Sequence, residues 1–142
     1  MTDINVGAIT EALNDKTDRD LQNVDNTSGA DAVIEYQMPT AENNYTWCRK
    51  YADGWVEMGG KVSEIANNSN VVVTLPVEMA NNSYTVTMSQ YSSNTPDAFY
   101  SNQGAILRRT TTTITLTNRR LVGTGTPTID IMWEVKGMSA QS

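Results

Sequence analysis

The sequence predicts an all-β fold: a β-sandwich-like body of about seven or eight antiparallel strands, preceded by a short N-terminal helix. Three observations point there. Charged residues make up only 18% of the chain while Asn, Ser and Thr abound, a balance that suits sheets and turns better than long solvated helices. From Ala32 onward apolar residues recur at every second position, the period of a half-buried strand. The segments patterned in this way are separated by short stretches of Asn, Ser, Gly and Thr, which are turn residues. At 142 residues the chain has single-domain size and can bury a core.

The first segment is the exception. In "MTDINVGAITEALNDKTDRDLQNVDNTSGAD" a cap at Thr2 or Asp3 precedes Val6, Ile9 and Leu13, spaced by three and four residues on one helical face. The stripe decays at Lys16 and Asp20 and resumes out of phase at Leu21 and Val24, so a helix from about residue 3 to 15 is expected and a long coiled coil is not. Residues 1 to 31 carry seven acids (Asp3, Glu11, Asp15, Asp18, Asp20, Asp25, Asp31) against Lys16 and Arg19, which places −5 of the chain's net −6 in this leader. So short a helix barely repays nucleation alone and needs a partner surface, either its own body or sister helices in a bundle. "DNTSGAD" marks the boundary between a 1–31 leader and a 32–142 body.

The body begins with "AVIEYQM", closed by Pro39. Next, "TWCRKY" and "GWVEMG" flank an Asp53-Gly54 turn, which predicts a hairpin with Trp47, Arg49 and Tyr51 on one face and Cys48 and Lys50 on the other. Cross-strand aromatic pairing is the plain explanation for Trp47 and Trp55. An exposed indole stacking on a sugar ring is the rival reading. A nucleophilic Cys48 is disfavoured, because a thiolate nucleophile usually relies on an imidazole and the chain has no histidine. "NVVVTLPVEMA" is almost continuously apolar and predicts a strand covered on both sides. "SYTVTMSQY", "GAILRR", "TTTITLTN" and "TIDIMWEVKG" alternate, the last placing Ile129, Ile131, Trp133 and Val135 inward.

Composition also excludes. With no histidine and one cysteine, the common zinc, haem and triad sites cannot be assembled, and neither a metal nor a cofactor is expected. Glu57, Glu64, Glu78 and Asp97 are conceivable glycosidase acids, but no pair stands out, and the chain is not expected to be an enzyme. The acidic leader and nearly neutral body oppose nucleic-acid binding. The basic pairs Arg49-Lys50, Arg108-Arg109 and Arg119-Arg120 are most simply strand solvation. No apolar run approaches the ~20 residues of a membrane span, and "MTDINVGAIT" lacks the features of an export signal.

The order "INVGAITEALNDKTDRDLQNVD", "VIEYQMPTAENNYTWCRKYADGWVEMGGKV", "VVVTLPVEMANNSYTVTMSQY" and "IDIMWEVKGM" resembles the C-terminal, receptor-binding domains of bacteriophage tail fibres. The resemblance implies a homotrimeric β-structured tip of a virion, tail or capsid fibre, made in the host bacterial cytoplasm. Its leader would hold chains together or attach to other virion proteins through Val6, Ile9, Leu13, Leu21 and Val24. Its body would bind a bacterial surface glycan or protein, with Trp47, Arg49, Tyr51, Trp55, Tyr91, Asn94 and Tyr100 as candidate contacts. Cys48 departs from the aromatic residue expected at its position. Alternatives are a decoration protein without a receptor, such as a head fibre or tail-tip piece, and a cellular carbohydrate-binding module.

Overall fold

The computed structural model describes residues 32–92 and 101–140. The expected helix, with Val6, Ile9, Leu13, Leu21 and Val24, lies outside them, as do Asn94 and Tyr100. Eight strands follow in order: β1 (Val33–Gln37), β2 (Trp47–Tyr51), β3 (Trp55–Ile65), β4 (Ser69–Thr74), β5 (Thr85–Ser92), β6 (Asn102–Arg109), β7 (Thr113–Arg120) and β8 (Ile129–Met138). Every pair of neighbouring strands described is antiparallel. Sheet A has the order β1-β2-β3-β8-β5 and sheet B the order β4-β7-β6, so the all-β sandwich predicted from the alternating pattern is the observed fold.

The hairpin forms as its sequence requires. Gly54 has φ 94°, a conformation that glycine adopts without steric cost, and its N–H donates to the Tyr51 carbonyl at 2.9 Å. Ser139 ties the far end of the chain to this turn, its N–H and Oγ both donating to the Gly54 carbonyl. Cys48, Val56 and Met58 are buried, with Trp47, Arg49, Trp55 and Glu57 on the opposite face. The expected cross-strand pairing of the two tryptophans does not occur: the register sets Trp47 opposite Gly59 and Arg49 opposite Glu57.

The inner faces meet in one core. Ile129, Ile131, Trp133 and Val135 of β8 pack with Val56, Met58 and Ile65 of β3 and with Ile114 and Leu116 of β7. Trp133 is fully internal, and its indole lies against Gly60, directly opposite it on β3; a Cβ at Gly60 would stand 2.9 Å from the ring. "NVVVTLPVEMA" is a correction to the sequence reading. Only its first part is a strand, and β4 is a sheet edge with Val72 63% exposed. The apolar run continues because Leu75, Val77 and Met79 enter the core from irregular chain, not because a strand is covered on both sides.

Two polar devices lock the layers together. Gln90 of β5 uses its side-chain amide as a surrogate strand residue: Nε2 donates to the Asn102 carbonyl at 3.1 Å and Oε1 accepts from the Gly104 N–H at 2.7 Å. Beneath it, fully buried Asn118 donates from Nδ2 to the carbonyls of Ile65 and Pro127 and accepts from Asn102 Nδ2 at 2.7 Å. Asn102 in turn reaches Asn67 at 2.8 Å. Buried amides with partners on every side specify one arrangement of the strands that carry them.

Candidate functional site: the outer face of the five-stranded sheet

Strand alternation sends every second side chain of sheet A away from the core, and the register arranges those side chains in rows. One row runs Tyr36, Arg49, Glu57, Lys136, Thr85. The next runs Trp47, Gly59, Glu134, Thr87. Beyond it lie Lys61, Met132 and Ser89, then Asp130 beside Tyr91, and at the opposite end Trp55 beside Met138. Trp47, Arg49, Tyr51, Trp55 and Tyr91 therefore share this face.

The face is aromatic and thioether-rich for a surface. Tyr36 is 70% exposed, Met38 61% and Trp55 38%, and Ile34, Tyr91, Met132 and Met138 are also exposed. Trp47 is half-buried because its ring lies over Gly59: a Cβ there would meet Trp47 Nε1 at 2.6 Å and the Trp133 carbonyl oxygen at 2.7 Å. Glycine is required at this close approach. On one side of the ring is an open hollow of about 420 Å³ bounded by Gln37, Met38, Pro39, Arg49 and Glu57. On the other is one of about 280 Å³ bounded by Thr87, Ser89, Tyr91, Met132 and Glu134.

Charges on this face are balanced, and two of the three opposite pairs come within ion-pair distance. Arg49 faces Glu57 across the hairpin, Lys136 lies 3.3 Å from Glu134, and Lys61 lies 3.7 Å from Asp130. The Trp55 Nε1–H donates to Glu57 Oε1 at 3.4 Å. Such exposed pairs contribute little to stability and mainly orient side chains. A face of rings, thioethers and balanced charge can stack on sugar rings or pack against protein, and it has no assembled acid–base pair. Among the described residues, no group of three or more Cys, Asp and Glu stands together to hold a metal ion.

Cys48 lies beneath this surface, and burial together with the Glu35 carboxylate raises its pKa, which keeps the thiol protonated near neutral pH. It is a packing residue. Tyr36, Met38, Met132 and Met138 were not among the contacts expected from sequence. Their signal was present in the alternation of "AVIEYQM" and "IDIMWEVKGM", but alternation does not say which of two faces a neighbouring layer will cover.

Solved pyocin tail fibres share this fold. An N-truncated R1-type pyocin tail fibre aligns with a TM-score of 0.55 and 13% identity, over 75% of this chain and 88% of that one. A P. aeruginosa R1 pyocin fibre comprising C-terminal residues 323–701 aligns with 0.52 and 13%, over 75% of this chain and 29% of that one. A P. aeruginosa R2 pyocin fibre, residues 323–691, aligns with 0.51 and 16%, over 75% and 26%. The chain spans 34% of an N-truncated R2-type fibre and 26% and 29% of the two longer P. aeruginosa fibres. No family model and no curated protein matches the sequence. At these identities the likeness is one of fold.

Proposed function

We propose that this chain is a non-enzymatic, tail-fibre-type tip protein that works as a homotrimer, with the outer face of sheet A meeting a receptor, glycan or protein, on a bacterial host. The observation that carries this reading is the contiguous aromatic and polar face, Tyr36 to Met138, on a fold shared with pyocin tail fibres. Exposed apolar surface of this kind marks a contact site in soluble proteins. Residues 1–31 join chains or attach the tip to the rest of the particle.

The test measures adsorption of the purified chain to a bacterial panel, with mass in solution by light scattering. A Tyr36→Ser, Met38→Ser, Trp55→Ser variant is expected to stay trimeric and lose adsorption. A wild-type monomer that adsorbs to nothing would sink the reading. A second reading is favoured by Ile34 in the outer edge strand β1 and Met38 just beyond its end, both exposed and apolar: the face packs sister chains together. In that case the same variant falls apart into monomers.

A further inference from the structure

The two arginine pairs of sheet B are divided by the fold. Arg109 donates from Nη1 to the Tyr84 carbonyl at 2.6 Å and lies over the Tyr84 ring, and Arg120 donates to the Gly125 carbonyl. Those two serve the structure. Arg108 and Arg119 are exposed and stand on the outer face, Arg108 opposite Thr115 and Arg119 opposite Gln103. The two rows lie four positions apart along β7, about 13 Å at strand spacing. The row between them holds only Asn70, Thr117 and Ala105, so small side chains form the floor between two guanidinium groups.

A β-bulge produces this geometry. Ile106 faces Leu116 in the core, so strict alternation would turn Leu107 outward and Arg108 inward. The register shift between Ile106 and Arg108 restores Arg108 to the outer face, the re-aiming that bulges commonly perform. β4, β6 and β7 contain no Asp or Glu, and among the described residues neither Arg108 nor Arg119 forms an ion pair. Arg119 has one weak contact, to Asn70 Oδ1 at 3.5 Å.

We propose that this face binds an acidic polysaccharide of the bacterial surface, Arg108 and Arg119 each gripping one carboxylate or phosphate while Asn70, Gln103 and Thr115 meet hydroxyls between them. This adds a second contact face, on sheet B, to the host-contact reading and rests on that reading. Guanidinium forks match planar and tetrahedral oxyanions with two parallel hydrogen bonds, and amides and hydroxyls serve a polyhydroxylated chain. The chain's net charge of −6 repels polyanions in general, so attraction has to come from this local pair, which meets no acid among the described residues.

The test uses the full chain with four probes: polygalacturonate for carboxylate, purified wall teichoic acid for phosphate, neutral dextran, and a DNA duplex. Binding to an acidic glycan, weakened by salt and absent for dextran and DNA, is expected. Arg108→Ala and Arg119→Ala should each weaken it about tenfold, with folding unchanged by circular dichroism. Equal binding by the double variant, or equal affinity for DNA, overturns the proposal. So does tighter binding by an Asp15→Asn, Asp18→Asn, Asp20→Asn variant, which would mean that the acidic leader occupies the face. Adsorption to cells without any acidic-glycan binding defeats this inference alone, whereas loss of adsorption to every strain defeats the reading beneath it.

Discussion

Sheet A turns outward Tyr36, Met38, Trp55 and Met132 among three cations and three anions, whereas sheet B turns outward threonines, amides, Val72 and two arginines with no acid on any of its strands. Both faces arise from the same alternation around one core. Their difference shows that a sandwich can carry two chemically independent surfaces, because outward residues are free of the packing constraints that fix inward ones. On sheet A even the outer face is partly constrained, since Trp47 needs Gly59 beneath it. On sheet B the constraint lies underneath, in the Asn118 network.

The largest expected effect comes from that network. Asn118→Ala leaves the Ile65 and Pro127 carbonyls without their side-chain donor and should cost about 3 kcal/mol, read as a lower midpoint in urea unfolding. Retention of wild-type stability would show that sheet B does not depend on its buried amides. Next comes Gly59→Ala, expected to cost about 2 kcal/mol by crowding the Trp133 carbonyl and the Trp47 ring. It should also shift tryptophan fluorescence, while leaving sheet B unchanged in hydrogen exchange.

A smaller effect is expected with pH. Burial raises the pKa of Cys48, aided by Glu35, and burial raises that of Tyr84, opposed by Arg109. A folded-state value above the ordinary one means that the neutral form is favoured in the fold. Stability is therefore full below the ordinary thiol and phenol values of 9.0 and 10.0 and falls as pH rises through the raised ones. A denaturation midpoint that stays level well above the ordinary thiol value would contradict this, and Cys48→Ala should remove the earlier part of the decline. The smallest effect belongs to deletion of Leu107. Removing a residue from a strand normally flips every side chain beyond it. Here it removes the extra residue of a bulge and leaves Arg108 opposite Thr115, so less than about 1 kcal/mol should be lost and Arg108 should still act on the outer face.

Much of the fold was legible because alternation is a direct record of burial. Ile114 and Leu116 inward and Trp133 in the core follow from it, and the Asp53-Gly54 hairpin follows from its turn residues. "NVVVTLPVEMA" misled because an apolar run does not distinguish a doubly covered strand from an edge strand leading into buried irregular chain. Of the residues singled out from sequence, Trp47, Arg49, Tyr51, Trp55 and Tyr91 lie on one face, and Tyr36 and Met38 join that face through the pairing of β1 with β2, a long-range fact. The division of the arginine pairs was not legible at all. It depends on a register shift that exists only between two strands and on the distant Tyr84 carbonyl that takes up Arg109.

The place of β8 bears on how the molecule comes into being. It follows every other described strand in the chain, yet it lies in the middle of sheet A, with β3 on one flank and β5 on the other. Those two strands do not pair with each other, so on a ribosome they wait, unpaired along one edge, until residues 129–138 emerge. Sheet B, assembled from β4, β6 and β7, is complete earlier in synthesis. Sheet A cannot close before β8 is made, and the long-range contacts this requires slow folding and leave open edges exposed to neighbouring chains until closure.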